Sequence, residues 1–414
     1  MTRKILRFLS LFAIAFTMPI TAQTPAPPPA AVLMTFDSVG AEQTRILRGQ
    51  SNHATGRALT ADDPVRVASI SKLVTTLGVL RLVDQRKLDL DADVSRYLGW
   101  TLRHPAFPDR PITLAMLLSH RSGLVDGIDY VLPLDADLEA ELHRAEAWDR
   151  TRRPGGSFAY ANINFPIVAA VMEGASGERF DRLMNDLVFR PLRLDACFNW
   201  TMCSDAAIAR AVTLYRPNGD VARDDLRGVR PACPVVPARD GSCDLSTYRL
   251  TRSSGSFSPQ GGLRISARGL ARIGQMLLRE GDRFISPRAF RRMTRMQAVT
   301  TLPNTVGANT VGEGGEGSFF CRYGLGLQQL ASPRAGCRDD PFGDGRPRIG
   351  HSGDAYSLRS GLWVDMEQRT GVVWFTTQLP ENGAPLGTRS AFTAAEEALI
   401  TEAGLVGGAP IRPR

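Results

Sequence analysis

Apolar residues recur with two different periods along this chain, and the changes of period mark out its elements. "AAVLMTF" and "EQTRILRGQ", Ala30–Phe36 and Glu42–Gln50, read as two short strands joined by a polar turn. From Ile70 the period lengthens: Ile70, Leu73, Leu77 and Leu80 fall at helical spacing and predict a helix to about Arg86. "ITLAMLLSH", "FPIVAAVMEGAS" and "RFDRLMNDLVF" are further helical candidates, and "SARGLARIGQMLL" is one with Ser266 as its cap. Near the C-terminus "SLRSGLWVD" and "TGVVWFTTQL" read as adjacent strands around a "MEQRT" turn, followed by a helix over roughly Ser390–Ala403. Two stretches break the pattern. Thr213–Gln260 and Leu302–Arg346, rich in turn-forming residues, read as long surface excursions.

Strands at both ends and helices between them predict an α/β fold of the α+β type. Its antiparallel sheet is built from both chain ends and flanked by helices, with a mostly helical lobe inserted and a cleft at the junction. The expected division is a sheet-bearing lobe over 31–68 and 256–403, a helical lobe over 69–255, and a flexible tail over 404–414. No internal repeat is present.

The first residues change the picture of where this fold works. Arg3, Lys4 and Arg7 precede an apolar run that ends in small residues near Ala22, the build of a secretory signal peptide over 1–22. "TPAPPPA", Thr24–Ala30, then reads as an extended spacer within 23–30. No later run is long enough to span a bilayer, so a periplasmic or secreted protein without stable membrane insertion is expected. The net charge of +8 falls to +5 once Arg3, Lys4 and Arg7 leave. That excess is spread out, without a basic stripe, and does not suggest nucleic-acid binding. The cysteines number six and fall into three close pairs: Cys197 with Cys203, Cys233 with Cys243, and Cys321 with Cys337. In an exported chain this favours three local disulfides, one of 15 possible connectivities. A metal site fits poorly, because C-x-x-C is absent and the five histidines are scattered. No cofactor is implied.

Lysine is nearly absent: only Lys4, Lys72 and Lys87 occur. Lys72 stands three residues after Ser69. If a helix starts there, the two side chains lie one turn apart, about 4.5 Å along the axis and on nearly the same face. The helix N-terminus favours negative charge on the serine oxygen, and a desolvated lysine can take its proton. Arginine could not, because it stays protonated at neutral pH. Taken alone, the pair also describes a capping serine and a snorkelling lysine. Its company raises its meaning: "PGGSFAYANINF" supplies Tyr160 and Asn162 as Y-x-N, and "RIGHSGD" supplies His351, Ser352 and Gly353.

With these marks the chain resembles serine hydrolases of the class C β-lactamase and penicillin-binding type, whose motifs are S-x-x-K, Y-x-N and then K-T-G or H-x-G. "VRVASISK", "LDLDADVSRYL", "ITLAMLLSHRSGL", "PGGSFAYAN", "PQGGLRISARGLARIGQMLL", "YGLGLQ" and "IGHSGD" resemble that family's blocks in its order, from about Val32 to Ala403. The resemblance implies a β-lactamase/transpeptidase-like fold and assigns roles. Ser69 would be the acylated nucleophile, with Lys72 taking or holding its proton. Tyr160 would be the general base and would then activate the deacylating water. Asn162, His351, Ser352 and Gly353 would bind substrate, and the N–H groups of Ser69 and Asp354 would form the oxyanion hole.

One departure matters. Where β-lactam-hydrolysing members carry the lysine of K-T-G, this chain has His351, largely uncharged near pH 7. A fixed cation for a substrate carboxylate is then missing unless one of the many arginines supplies it. An esterase acting on small-molecule esters or amides is expected first. A D-alanyl-D-alanine carboxypeptidase, a D-aminopeptidase and a β-lactamase are the alternatives, and a non-catalytic peptidoglycan-binding envelope protein is the alternative of another class. G-x-S-x-G is absent, since "IGHSGD" places Asp354 where the second glycine would stand.

Overall fold

Strand Ala31–Asp37 is where the two ends of the chain meet. It pairs antiparallel with Glu42–Arg48 on one side and with Thr370–Thr376 on the other. The sheet continues through Leu358–Asp365, Arg348–Ala355, Gln328–Leu330 and Arg322–Tyr323 to Ala298–Val299. It has eight strands, all antiparallel. The computed structural model describes residues 28–299 and 319–407. The expected leader, most of the spacer, the first part of the second excursion and the end of the tail lie outside them.

Period-2 alternation here serves two buried faces rather than one. Val32, Met34 and Phe36 turn to the larger apolar core, while Ala31 and Leu33 turn to a smaller one. Helix Ala267–Leu278 covers the first face, and its Gly274 allows close approach: a Cβ there would lie 2.2 Å from Phe36 Cζ. Helix Ala394–Glu402, opened by a capping box between Thr393 and Glu396, covers the second. Its Leu399 and Ile400 pack with Trp363, Trp374 and Phe392.

Helix α1 (Ile70–Asp84) buries 12 of its 15 residues, because it is enclosed between the sheet and the helices Asn164–Ser176 and Phe180–Met184. Its polar side chains are satisfied inside the core. Ser71 accepts from Leu263 N–H at 3.0 Å, Thr75 donates to the Pro259 carbonyl at 3.1 Å, and Thr76 to that of Lys72 at 2.8 Å.

Several elements differ from the sequence expectation. The strand expected over 42–50 ends at Arg48, because Gly49 turns at φ +86 with Ala30 Cα only 2.6 Å from where a Cβ would be. Helix α1 stops at Asp84, and Arg86 turns back at φ 59. "RFDRLMNDLVF" is helical over Phe180–Met184 and then widens into a π turn over Asn185–Phe189. "RIGHSGDA" is itself an eight-residue strand, Arg348–Ala355, in the middle of the sheet. Polar side chains on both of its faces hide the alternation. The first excursion is only partly at the surface: Leu214, Val235 and Phe257 are buried.

Disulfides join Cys197 to Cys203, Cys233 to Cys243, and Cys321 to Cys337. This set fits an exported protein. Among the described residues no helix is long and apolar enough to cross a membrane.

Candidate active site

Strand Val65–Arg66 pairs with Leu263–Ile265, and the chain then turns through Ala68 at φ 49 into helix α1. Ser69 stands at that entry, and its N–H has no hydrogen-bond partner among the described residues. The turn is held from the sheet side. Ser360 donates to the Val67 carbonyl at 3.0 Å, and Gly353 packs directly on it. A Cβ at 353 would stand 2.3 Å from both Val67 O and Ser360 Oγ. The glycine of H-x-G is therefore a close-approach glycine that lets the His351 strand, Arg348–Ala355, lie against the turn carrying Ser69.

Lys72 is fully buried, and its Nζ touches three oxygens. They are Ser69 Oγ at 3.0 Å, Asn162 Oδ1 at 2.7 Å and the Gln260 carbonyl at 3.0 Å. The orientation of the Asn162 amide is fixed from behind, because its Nδ2 and backbone N–H donate to Asp126 Oδ2 at 2.8 and 2.9 Å. Ile163 N–H holds the other Asp126 oxygen at 3.0 Å. Burial pulls the Lys72 ammonium down to about 7, against the opposing pull of the Asp126 carboxylate. A neutral amine has two N–H donors and one lone pair. Asn162 Oδ1 and the Gln260 carbonyl can only accept, so they take the two donors, and the lone pair is left facing the Ser69 hydroxyl.

Tyr160 lies in an aromatic stack, with His120 at 4.3 Å on one face and Phe320 at 4.4 Å on the other. Lys72 Nζ is 4.9 Å from its ring centroid. The Tyr160 hydroxyl is buried, and although Ser69 is near enough to favour its ionisation slightly, it makes no well-formed hydrogen bond. Burial dominates and pushes the phenol well above its ordinary pKa, so it stays protonated. His120 Nδ1 accepts from Ala161 N–H at 3.1 Å, which leaves the ring proton on Nε2, buried and unpartnered. Burial, Lys72 and His351 hold this imidazole neutral.

His351 is turned to protein partners. Its ring is fully buried: Nε2 is 2.8 Å from the Tyr323 hydroxyl and Nδ1 2.6 Å from the Ser352 carbonyl. The carbonyl can only accept, so Nδ1 carries the proton and Nε2 accepts from Tyr323. Burial and the Lys72 charge lower this imidazole to about 3. Both nitrogens are thus occupied by protein groups, and a substrate reaches the ring only by displacing Tyr323. The Ser352 hydroxyl turns to Gln328 Oε1 at 3.2 Å, and the Asp354 carboxylate pairs with Arg359.

The fold therefore brings Ser69, Lys72, Tyr160 and Asn162 together and sets Gly353 against them, while His351 and Ser352 are turned to protein partners. Asp126, Gln260, His120 and Tyr323 belong to the same cluster and were not singled out by sequence reasoning. Gln260, His120 and Tyr323 lie in or beside motif blocks; Asp126 carries no local signal at all. Among the described residues no group of histidines, cysteines and carboxylates could hold a metal ion.

The Beta-lactamase family model matches residues 36–395. Esterase EstB of Burkholderia gladioli is 31% identical over 171 residues, which is 37% of this chain and 43% of that protein. The D-alanyl-D-alanine-carboxypeptidase/endopeptidase AmpH of Escherichia coli (strain K12) is 30% identical over 181 residues, 42% of each protein. Each match thus spans less than half of the relative's own length. A class C beta lactamase from Rhodobacter sphaeroides shares the fold, with a TM-score of 0.60 at 17% identity over 91% of this chain and 93% of that one.

Proposed function

Starting from a chain that belongs to the beta-lactamase family, we propose that it is an exported serine hydrolase. It cleaves ester or amide bonds through an acyl-enzyme on Ser69, with an esterase-like preference. The observation that carries this reading is the Lys72 amine, lowered to about 7 and 3.0 Å from Ser69 Oγ, with its other contacts on acceptors. In acylation the Ser69 proton passes to Lys72 as Oγ bonds to the substrate carbonyl carbon. The N–H groups of Ser69 and Asp354 receive the oxyanion. The leaving group departs with a proton delivered through the Tyr160 hydroxyl, which Lys72 replaces. Water then reverses the sequence and frees Ser69. Tyr160, protonated by its burial, relays a proton here rather than acting as the primary base. Asp126 is a positioning residue, because it fixes the Asn162 amide that orients Lys72.

Preference follows from His351. A cephalosporin carries its carboxylate on the ring fused through the leaving nitrogen, so that group lies on the Tyr160 and His351 side. The imidazole there is neutral down to about pH 3, so His351 supplies no fixed cation for the carboxylate. Short-chain p-nitrophenyl esters should be turned over readily, and cephalosporins slowly or not at all. Acidifying from pH 8 to pH 5 should not bring out cephalosporin turnover, because His351 gains no proton in that range. His351→Lys should shift the kcat/KM ratio toward the cephalosporin. Steady-state assays with an aryl ester, a cephalosporin and a D-amino-acid anilide, run side by side, test this. Efficient cephalosporin hydrolysis without esterase activity would overturn it.

A further inference from the structure

Arg66, three residues before Ser69, takes no part in the proton transfers above, yet its side chain is placed with care. The residue is 4% exposed, and its Nε and Nη1 are buried without a hydrogen-bond partner. Its neighbour across the short sheet, Arg264, is held at both terminal nitrogens, although its Nε is likewise buried and unpartnered. Arg264 bonds to Asn199 Oδ1 at 2.7 Å, to the Gly262 carbonyl at 2.8 Å, and to the two oxygens of Asp224 at 2.8 and 3.1 Å. Asp224 is also approached by Arg223 at 3.9 Å and by Trp200 Nε1 at 3.3 Å. Three guanidinium groups thus gather about a single carboxylate that Arg264 already holds. Arg66 feels that carboxylate electrostatically, but its Nε and Nη1 make no hydrogen bond to it.

The Arg66 guanidinium borders the site. Arg66 Cζ lies 4.8 Å from the centre of the Tyr356 ring, and Arg223 Cζ lies 5.3 Å from the same centre. Tyr356 follows Asp354 by two residues, in the turn that ends the His351 strand. Tyr130, close enough to Arg66 and Tyr356 to feel both electrostatically, accepts from Gln260 Nε2 at 3.3 Å through its carbonyl. Gln260 in turn accepts from Lys72. The His351 strand therefore carries two unlike regions, its middle and its far end, with His351 and Tyr356 roughly 16 Å apart at the usual strand rise. At the middle are neutral His351 and the Tyr160 stack; at the far end are Tyr356 and the arginines. Tyr160 protonates the leaving group, so the leaving group lies at the first region. The acyl part of the substrate then points to the second.

We propose that Arg66, with Arg223 and the Tyr356 ring, forms a subsite for a carboxylate carried on the acyl part of the substrate. The proposal rests on the acyl-enzyme reading and names its substrate class: esters or amides whose acyl chain ends in a carboxylate. The fold has already removed most of the Arg66 guanidinium from bulk water, so a carboxylate that reaches Nη2 gains a charge-assisted hydrogen bond to a rigidly stacked cation. A lysine would offer a point charge without the planar group that stacks on Tyr356.

The test compares two esters of equal chain length, p-nitrophenyl hemiglutarate and p-nitrophenyl valerate, on the full chain. The wild type should favour the hemiglutarate. The ratio of the two kcat/KM values should fall about 10- to 100-fold in Arg66→Met, as expected for losing hydrogen bonds to a charged group, and should recover in part in Arg66→Lys. Arg223→Met, at a more exposed position, should lower the ratio less, and free glutarate should inhibit the wild type competitively. The last two measurements decide the matter if Arg66→Met does not fold. A ratio unmoved by Arg66→Met while both rates fall together would assign Arg66 a structural role and overturn the subsite. So would a wild type that prefers valerate, or one that glutarate does not inhibit. In each of those results valerate turnover itself persists, so the Ser69 acyl-enzyme reading stands apart.

Discussion

Lys72→Arg should be nearly as damaging as Lys72→Ala, lowering kcat/KM by about 10²–10⁴ although the positive charge is kept. The reason is the state of the amine rather than its sign. Burial brings the Lys72 ammonium down to about 7, so a large fraction is unprotonated at neutral pH and can accept the Ser69 proton. A guanidinium stays protonated in the same place and has no lone pair to offer. The wild-type rate should accordingly rise as pH increases through about 7, where Lys72 loses its proton, and level off above. The arginine variant should show no such limb. Steady-state pH profiles of the two proteins on one aryl ester check this, and a variant that keeps most of the wild-type kcat/KM would reduce Lys72 to an electrostatic support.

Tyr160→Phe should cost activity on a similar scale, about 10²–10⁴, while leaving the protein at least as stable. The ring is what packs, held between His120 and Phe320, and phenylalanine preserves that stack. The hydroxyl is buried without a hydrogen-bond partner, so its removal relieves a desolvation cost instead of breaking a bond. A structural tyrosine would show the opposite pattern, with Tm and rate falling together. Thermal unfolding and ester turnover measured on the same preparation separate the two.

The parts of this site that could be read from the chain are those joined by short spacing. Ser69 and Lys72 meet because three residues bring a helix almost full circle, and the cysteines that bridge are near neighbours in sequence. The strands on either side of the "MEQRT" turn carry enough apolar residues to declare themselves. What could not be read depends on closure of the fold. Asp126 fixes Lys72 through Asn162, 36 residues further along the chain, and pulls on its charge from outside any local motif. Gln260 contributes a backbone carbonyl, which no side-chain pattern announces. The Arg348–Ala355 strand is polar because it faces the site, and that polarity conceals it as a strand. The hydrogen bond of His351 to Tyr323 needs strands paired across Gln328–Leu330. In the sequence Arg66 looks like any other arginine, and only the fold shows its side chain buried beside Tyr356.

The central claim is that Ser69 alone carries the acyl group, and intact-mass measurement after treatment with a fluorophosphonate addresses it most directly. Ser71 is the competing hydroxyl. It lies about 200° around the helix and is committed to the core, donating to the Ala68 carbonyl at 2.6 Å and accepting from Leu263 N–H at 3.0 Å. The wild type and Ser71→Ala should each gain one phosphonyl adduct, mapped to the peptide containing Ser69, and Ser69→Ala should gain none. An adduct that persists in Ser69→Ala and disappears in Ser71→Ala would contradict the account.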